Sequence, residues 1–179
     1  MASVPALTSY SNALVLLASP RVNTALDTLR RAHDKSHPRW AAHITLLFPF
    51  CADEDLPTAS RLLRDALEQP VEPFEVHLGK VGRFSQDTVY LAPSDEAVKA
   101  LWKKLSTALN YSGRDFVPHM TLGQGLRQRD QVDFLIRKGE KLVEQDLRWM
   151  VDRVCILRKN EGLGGKMEAS EEIFLGDVT

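Results

Sequence analysis

Cysteine is scarce in this 179-residue chain: Cys51 and Cys155 are the only two. Two thiols give no disulfide framework and are too few for a cysteine zinc site, so they suit a reducing interior, with a Cys51–Cys155 bridge as the alternative. Long apolar runs are missing too. No stretch reaches the roughly 18 residues needed to cross a bilayer, and the opening Met1-Ala2-Ser3-Val4-Pro5 lacks the basic and apolar regions of a leader. Nor does one sign of charge prevail, since 23 Lys plus Arg stand against 24 Asp plus Glu for a formal net charge of -1. That balance argues against a protein that coats long nucleic acid without selectivity, although a pocket needs only a few local cations to hold a small phosphate. The expectation is a soluble protein of the cytoplasm or nucleus with no membrane association and no obligatory protein partner. Its length suits one domain, 1–179, able to bury a real core.

What the chain does contain is a phrase written twice: His43-Ile44-Thr45-Leu46 and His119-Met120-Thr121-Leu122. If both are strands, period-two alternation puts each His and Thr on one face and the four apolar residues on the other. The elements around the two phrases run in similar order. A strand over Asn12–Ala18 precedes a helix that starts near Pro20 with Val22, Ala25, Leu26 and Leu29 inward, then the first motif strand His43–Phe48 and a helix Thr58–Leu67. Phe74, Val76 and Leu78 alternate with polar residues as a half-buried strand, and Val89-Tyr90-Leu91 forms another. A helix follows Ser94-Asp95-Glu96 with Val98, Leu101, Trp102, Leu105 and Leu109 inward, and His119 opens the second motif strand. Helical spacing resumes over Asp130–Gln145, where Gly139 weakens the case for one uninterrupted helix. Val151–Leu157 and Glu172–Leu175 read as closing strands around a Gly162-Leu163-Gly164-Gly165 loop. This order predicts an α+β fold of two sheet-containing lobes, approximately 1–85 and 86–179, with helices outside and the motif strands near the centre.

Two histidines and two threonines facing one cleft form a chemically complete set for opening a cyclic phosphodiester. One imidazole takes a proton from the attacking water and the other gives one to the departing ribose oxygen. The threonine hydroxyls donate hydrogen bonds to the non-bridging oxygens. A single His-x-Thr is poor evidence, because a buried satisfied His and an ordinary β-forming Thr explain it equally well. Recurrence of the pattern, with the same final Leu and in matching surroundings, favours a divided active site.

The pair of motifs resembles the 2H phosphoesterase superfamily, and Trp40-Ala41-Ala42-His43-Ile44-Thr45-Leu46-Leu47-Phe48-Pro49-Phe50 looks especially like the 2′-5′ RNA ligase/cyclic phosphodiesterase group. The resemblance extends over nearly the whole chain, to Ile173-Phe174-Leu175-Gly176. It implies pseudo-symmetric lobes with central antiparallel sheets and a shared active-site cleft, with His43 and His119 as the acid/base pair and Thr45 and Thr121 as the phosphate-holding pair. It also implies action on 2′,3′-cyclic nucleotides, cyclic-phosphate RNA ends or ADP-ribose 1″,2″-cyclic phosphate, with neither metal nor other cofactor. Ligation or cleavage of 2′-5′ linkages is the alternative within enzymes, and a non-catalytic RNA-end-binding protein the alternative outside them.

Around the motifs, Trp40, Phe48, Phe84 and Tyr90 are candidates for stacking on a nucleobase, each equally suited to packing. Arg127, just after the Gly123-Gln124-Gly125 turn, is the preferred phosphate or ribose contact, ahead of Arg83 and Arg158. His33, His37 and His77 have no spacing typical of a zinc site, and the late glycine-rich stretch lacks the strand-to-helix context of a nucleotide loop.

Overall fold

The computed structural model describes residues 4–68, 71–85, 87–113, 115–126 and 128–176. Strand β1 (Asn12–Leu17) is the apolar run expected, buried on both faces from Ala13 to Leu16. Ser19 caps the next element by accepting from Val22 N at 3.3 Å, and Pro20 occupies its first turn, where no amide hydrogen is needed. Helix α1 (Pro20–His33) follows, with Val22, Leu26 and Arg30 on its buried stripe. After β2 (His43–Leu47), α2 (Leu56–Leu67) starts two residues earlier than periodicity predicts, because Pro57 fits a first helical turn. Strands β3 (Phe74–Phe84) and β4 (Thr88–Pro93) form a hairpin, and α3 (Ala97–Ala108) leads to β5 (Met120–Gln124), so His119 stands one residue before its strand.

Helix α4 (Arg129–Val143) runs unbroken through Gly139. That residue is buried, and a Cβ there would come within 3.1 Å of Leu122 Cδ1 and 3.2 Å of the Val81 methyls. The glycine therefore serves close helix-on-sheet packing and does not break the helix.

The expected strand Val151–Leu157 is two strands in different sheets. Strand β6 (Arg148–Val151) alternates, with Trp149 and Val151 inward, and pairs with β3; β7 (Arg153–Asn160) is apolar in its centre and pairs with β1. The last strand, β8 (Lys166–Phe174), starts six residues before the predicted Glu172, since it is an edge strand whose polar residues carry little periodic signal.

Two four-stranded antiparallel sheets result, in the orders β2-β1-β7-β8 and β5-β4-β3-β6. A boundary near residue 85 does not follow them. It falls inside the β3–β4 hairpin, and β7 and β8 return to the first sheet, so each sheet draws on both halves of the chain. Ile44, Leu46, Met120 and Leu122, the apolar backings of both motifs, share one core cluster with Leu14, Leu16, Val76 and Leu78. Burial of each such side chain contributes roughly 1.5–3 kcal/mol, which holds the opposite, polar face of each motif strand in register. A smaller cluster on the other face of the first sheet, with Ala13, Val15, Cys155, Leu157 and Met167, packs against Trp40. Both cysteines are free thiols, and burial pushes each up to about 11. Among the described residues, no helix is long and apolar enough to cross a membrane.

Candidate active site

The motif strands are edge strands of their respective sheets, β2 of the first and β5 of the second, and these edges approach each other at the seam of the molecule. Alternation then turns His43, Thr45 and Thr121 away from the core into a common opening. A cavity of about 260 Å³ is lined by His43, Thr45 and Thr121 together with Arg30, Asp34, Ser36, Trp40 and Phe48. An adjoining bay of about 250 Å³ shares Thr45 and Phe48 and contains His119, walled by Phe84, Trp102, Tyr111 and Phe116. The four motif side chains thus line one continuous cleft, with the threonine of each motif beside the histidine of the other.

The two imidazoles are held alike. Nδ1 of His43 donates to the Ala41 carbonyl at 2.7 Å, and Nδ1 of His119 donates to the Val117 carbonyl at 2.8 Å. With the proton held at Nδ1, Nε2 of each ring is the nitrogen left for proton exchange. Each ring is also braced by aromatics. Trp40 stacks on His43 at 4.9 Å between centroids, while Phe84 and Tyr90 meet His119 edge-on at 4.6 and 5.4 Å. Tyr90 is directly opposite Thr121 across the β4–β5 pair.

Burial pushes His43 down to about 4; the Arg30 and His119 charges push the same way, against the hydrogen bond to Ala41 and the Asp34 carboxylate. Burial also lowers His119, partly offset by its hydrogen bond to Val117. Both shifts favour the neutral ring in the free protein.

Three of the stacking candidates line the cleft, Trp40 and Phe48 on the His43 side and Phe84 on the His119 side; Tyr90 touches the His119 ring and stacks on Phe84 but is not among the residues lining either cavity. Arg127 lies outside the described residues. Arg158 is not at the cleft but pairs with Asp53, and Arg83 is exposed on β3. The other histidines have partners of their own. His33 packs on Phe134 at 5.4 Å, His37 Nε2 lies 3.0 Å from Asp27, and His77 Nε2 lies 3.4 Å from Asp146.

Sequence reasoning missed Arg30, Asp34 and Ser36 on one side of the cleft and Trp102, Tyr111 and Phe116 on the other. One signal for Arg30 was present: it continues the Val22, Leu26 spacing of α1, so a charged residue occupies the buried stripe. Its guanidinium reaches Asp34 Oδ2 through Nε at 3.0 Å and Nη2 at 2.8 Å, and Nη2 also donates to the Trp40 carbonyl at 2.9 Å.

A profile of the 2′-5′ RNA ligase superfamily matches residues 18–163. A protein of Bacillus cereus strain B4264, provisionally named a phosphoesterase, is 31% identical over 171 residues, covering 91% of this chain and 95% of that protein. A Bacillus anthracis protein of the same provisional name is 29% identical over the same shares. Among solved structures, Escherichia coli LigT complexed with NADP+ superposes with a TM-score of 0.67 at 15% identity, covering 95% of this chain and 100% of that one. The same protein complexed with 3′-AMP gives 0.64 at 16% identity over the same shares.

Proposed function

This chain belongs to the 2′-5′ RNA ligase superfamily, and from that premise we propose that it hydrolyses a cyclic phosphodiester: a 2′,3′-cyclic nucleotide, a cyclic-phosphate RNA end or ADP-ribose 1″,2″-cyclic phosphate. The observation that carries this reading is the opening of His43, Thr45, His119 and Thr121 onto one cleft, each imidazole with Nδ1 engaged and Nε2 left for chemistry.

In the proposed step the phosphate lies between the two threonine hydroxyls, which donate to its non-bridging oxygens as charge builds there. His43 Nε2 takes a proton from water as the water oxygen attacks phosphorus. The bond from phosphorus to one ribose oxygen breaks, and His119 Nε2–H protonates that oxygen. The environment of His43 supports its role as base, because burial and the neighbouring Arg30 both favour the neutral ring. Among the described residues no such cation contributes to the shift of His119, and an arriving phosphate anion stabilises its protonated form. Proton transfer and hydrogen bonding by these four groups suffice for the step without a metal. Trp40, Phe48 and Phe84 supply aromatic faces for the base or ribose, with Tyr90 stacked on Phe84 at 4.4 Å, and stacking holds such a group with little sequence preference. The nucleotide complexes of LigT support a small nucleotide as the kind of ligand.

The test offers metal-free protein 2′,3′-cyclic nucleotides, ADP-ribose cyclic phosphate, cyclic-phosphate-ended RNA and 2′-5′ oligonucleotides, and identifies the products. Turnover of a cyclic phosphate is expected, with His43→Ala and His119→Ala each lowering kcat by roughly 10²–10⁴-fold while the protein stays folded. Joining or cleavage of 2′-5′ linkages alone would assign the ligase or 2′-5′ phosphodiesterase activity, and binding without turnover an RNA-end-binding role.

A further inference from the structure

The two threonines and two imidazoles described above include no permanently charged group, although they are read as surrounding a phosphate anion. Among the described residues lining the His43 cavity, Arg30 is the cation. It is 3% exposed and sits on the stripe of α1 where Val22 and Leu26 are fully buried. Desolvating a guanidinium there is unfavourable, and an apolar side chain would extend the stripe without that cost. Asp34, 5% exposed, holds the group through Nε and Nη2. Its other oxygen accepts from Ser36 N at 2.9 Å, so both carboxylate oxygens are engaged. The Trp40 carbonyl takes a second hydrogen of Nη2. Nη1 has no protein partner among the described residues, so one nitrogen of a guanidinium that lines the cavity is left for a ligand.

We propose that Arg30 is a substrate-binding residue of the cleft, donating from Nη1 to the phosphate held between Thr45 and Thr121, with Asp34 and the Trp40 carbonyl fixing its guanidinium. This rests on reading the cleft as a phosphodiester site. Oriented by three hydrogen bonds before substrate arrives, the group needs little reorganisation to meet the anion. The neutralising charge of Asp34 makes the contact one of direction more than of net charge. The arrangement therefore favours an anionic oxygen at one place over anions in general.

Calorimetric titration with adenosine 2′-monophosphate and with adenosine tests this on wild-type protein, Arg30→Lys, and Arg30→Met combined with Asp34→Leu, which leaves no orphaned charge. Wild type should bind the monophosphate more tightly than adenosine. The paired variant should weaken the monophosphate by roughly ten- to a hundredfold and leave adenosine unchanged. Arg30→Lys should weaken it less, since an ammonium keeps the charge and loses the fork. Should the paired variant not fold, the lysine variant decides by the same comparison. Unchanged monophosphate affinity in a folded variant overturns the proposal. So does an equal loss for adenosine, which would mean that Arg30 only holds Trp40 in place, and so does wild type that binds the monophosphate no better than adenosine. Turnover is measured separately. Arg30-dependent binding by an inert wild type would leave this inference standing and remove the proposed hydrolysis; turnover with Arg30-independent binding would do the reverse.

Discussion

His43 and His119 are alike in sequence and in their Nδ1 hydrogen bonds, yet the proposed reaction needs them in opposite protonation states. The base must be neutral, so the rate falls as pH drops through the pKa of His43, which burial pushes to about 4. The acid must be protonated, so the rate falls as pH rises past His119, whose pKa burial has lowered from 6.5. The profile of kcat/KM, which reports the free enzyme, should therefore be a bell with its maximum below pH 6.5. In kcat the alkaline limb should lie higher, because the bound phosphate anion stabilises imidazolium. Steady-state rates from pH 3.5 to 9 check this; a kcat/KM maximum above neutrality would reject the assignment. The residue types and spacing of this pair were legible in the chain. Their depressed titration was not, because for both it comes from burial, and for His43 also from Arg30, a residue 13 positions away.

Among the elements, α1 does more than its apolar stripe indicates. It follows a strand of the first sheet but packs against β5 of the second, where Lys35 N donates to Gln124 Oε1 at 2.9 Å. That approach carries Arg30 and Asp34 to the cleft, and Gly123 permits it. A Cβ at Gly123 would lie 2.6 Å from His33 Cβ and 2.8 Å from the His33 carbonyl oxygen, a backbone atom that cannot swing away. Gly123→Ala should push the end of α1 off β5, with a stability loss of about 1–3 kcal/mol and a fall in kcat/KM of roughly tenfold or more. Gly139→Ala makes a useful contrast, since the nearest atoms to its added methyl are side-chain methyls of Leu122 and Val81 at 3.1–3.2 Å. Its turnover should stay near wild type. Equal losses in the two variants would contradict the positioning argument.

For the whole molecule, the sheet order predicts that neither half of the chain stands alone. Residues 1–85 contain β1 and β2 without β7 and β8, leaving an edge of β1 bare that is covered in the full protein. Residues 86–179 contain β4, β5 and β6 but lack β3, which lies between β4 and β6. Each fragment, expressed separately, should show poor amide dispersion and no cooperative thermal transition, in contrast to the full chain; a cooperative transition in either one would refute this reading.

Local information in the sequence was enough for the α+β class, four helices, the strands that bear the motifs, and the shared face of His and Thr. Each of these follows from a periodicity or a capping signal spanning a few residues. The tertiary structure decided what depends on contacts between distant residues. It set β6 and β7 in different sheets although one residue separates them, made both motif strands edges that meet at a seam, and brought Arg30, Asp34 and Ser36 beside His43. The physical reason is that hydrophobic alternation selects which face of a strand is buried but not which edge it pairs with. The phrase written twice therefore marked the groups proposed to react, and long-range pairing assembled the cleft around them.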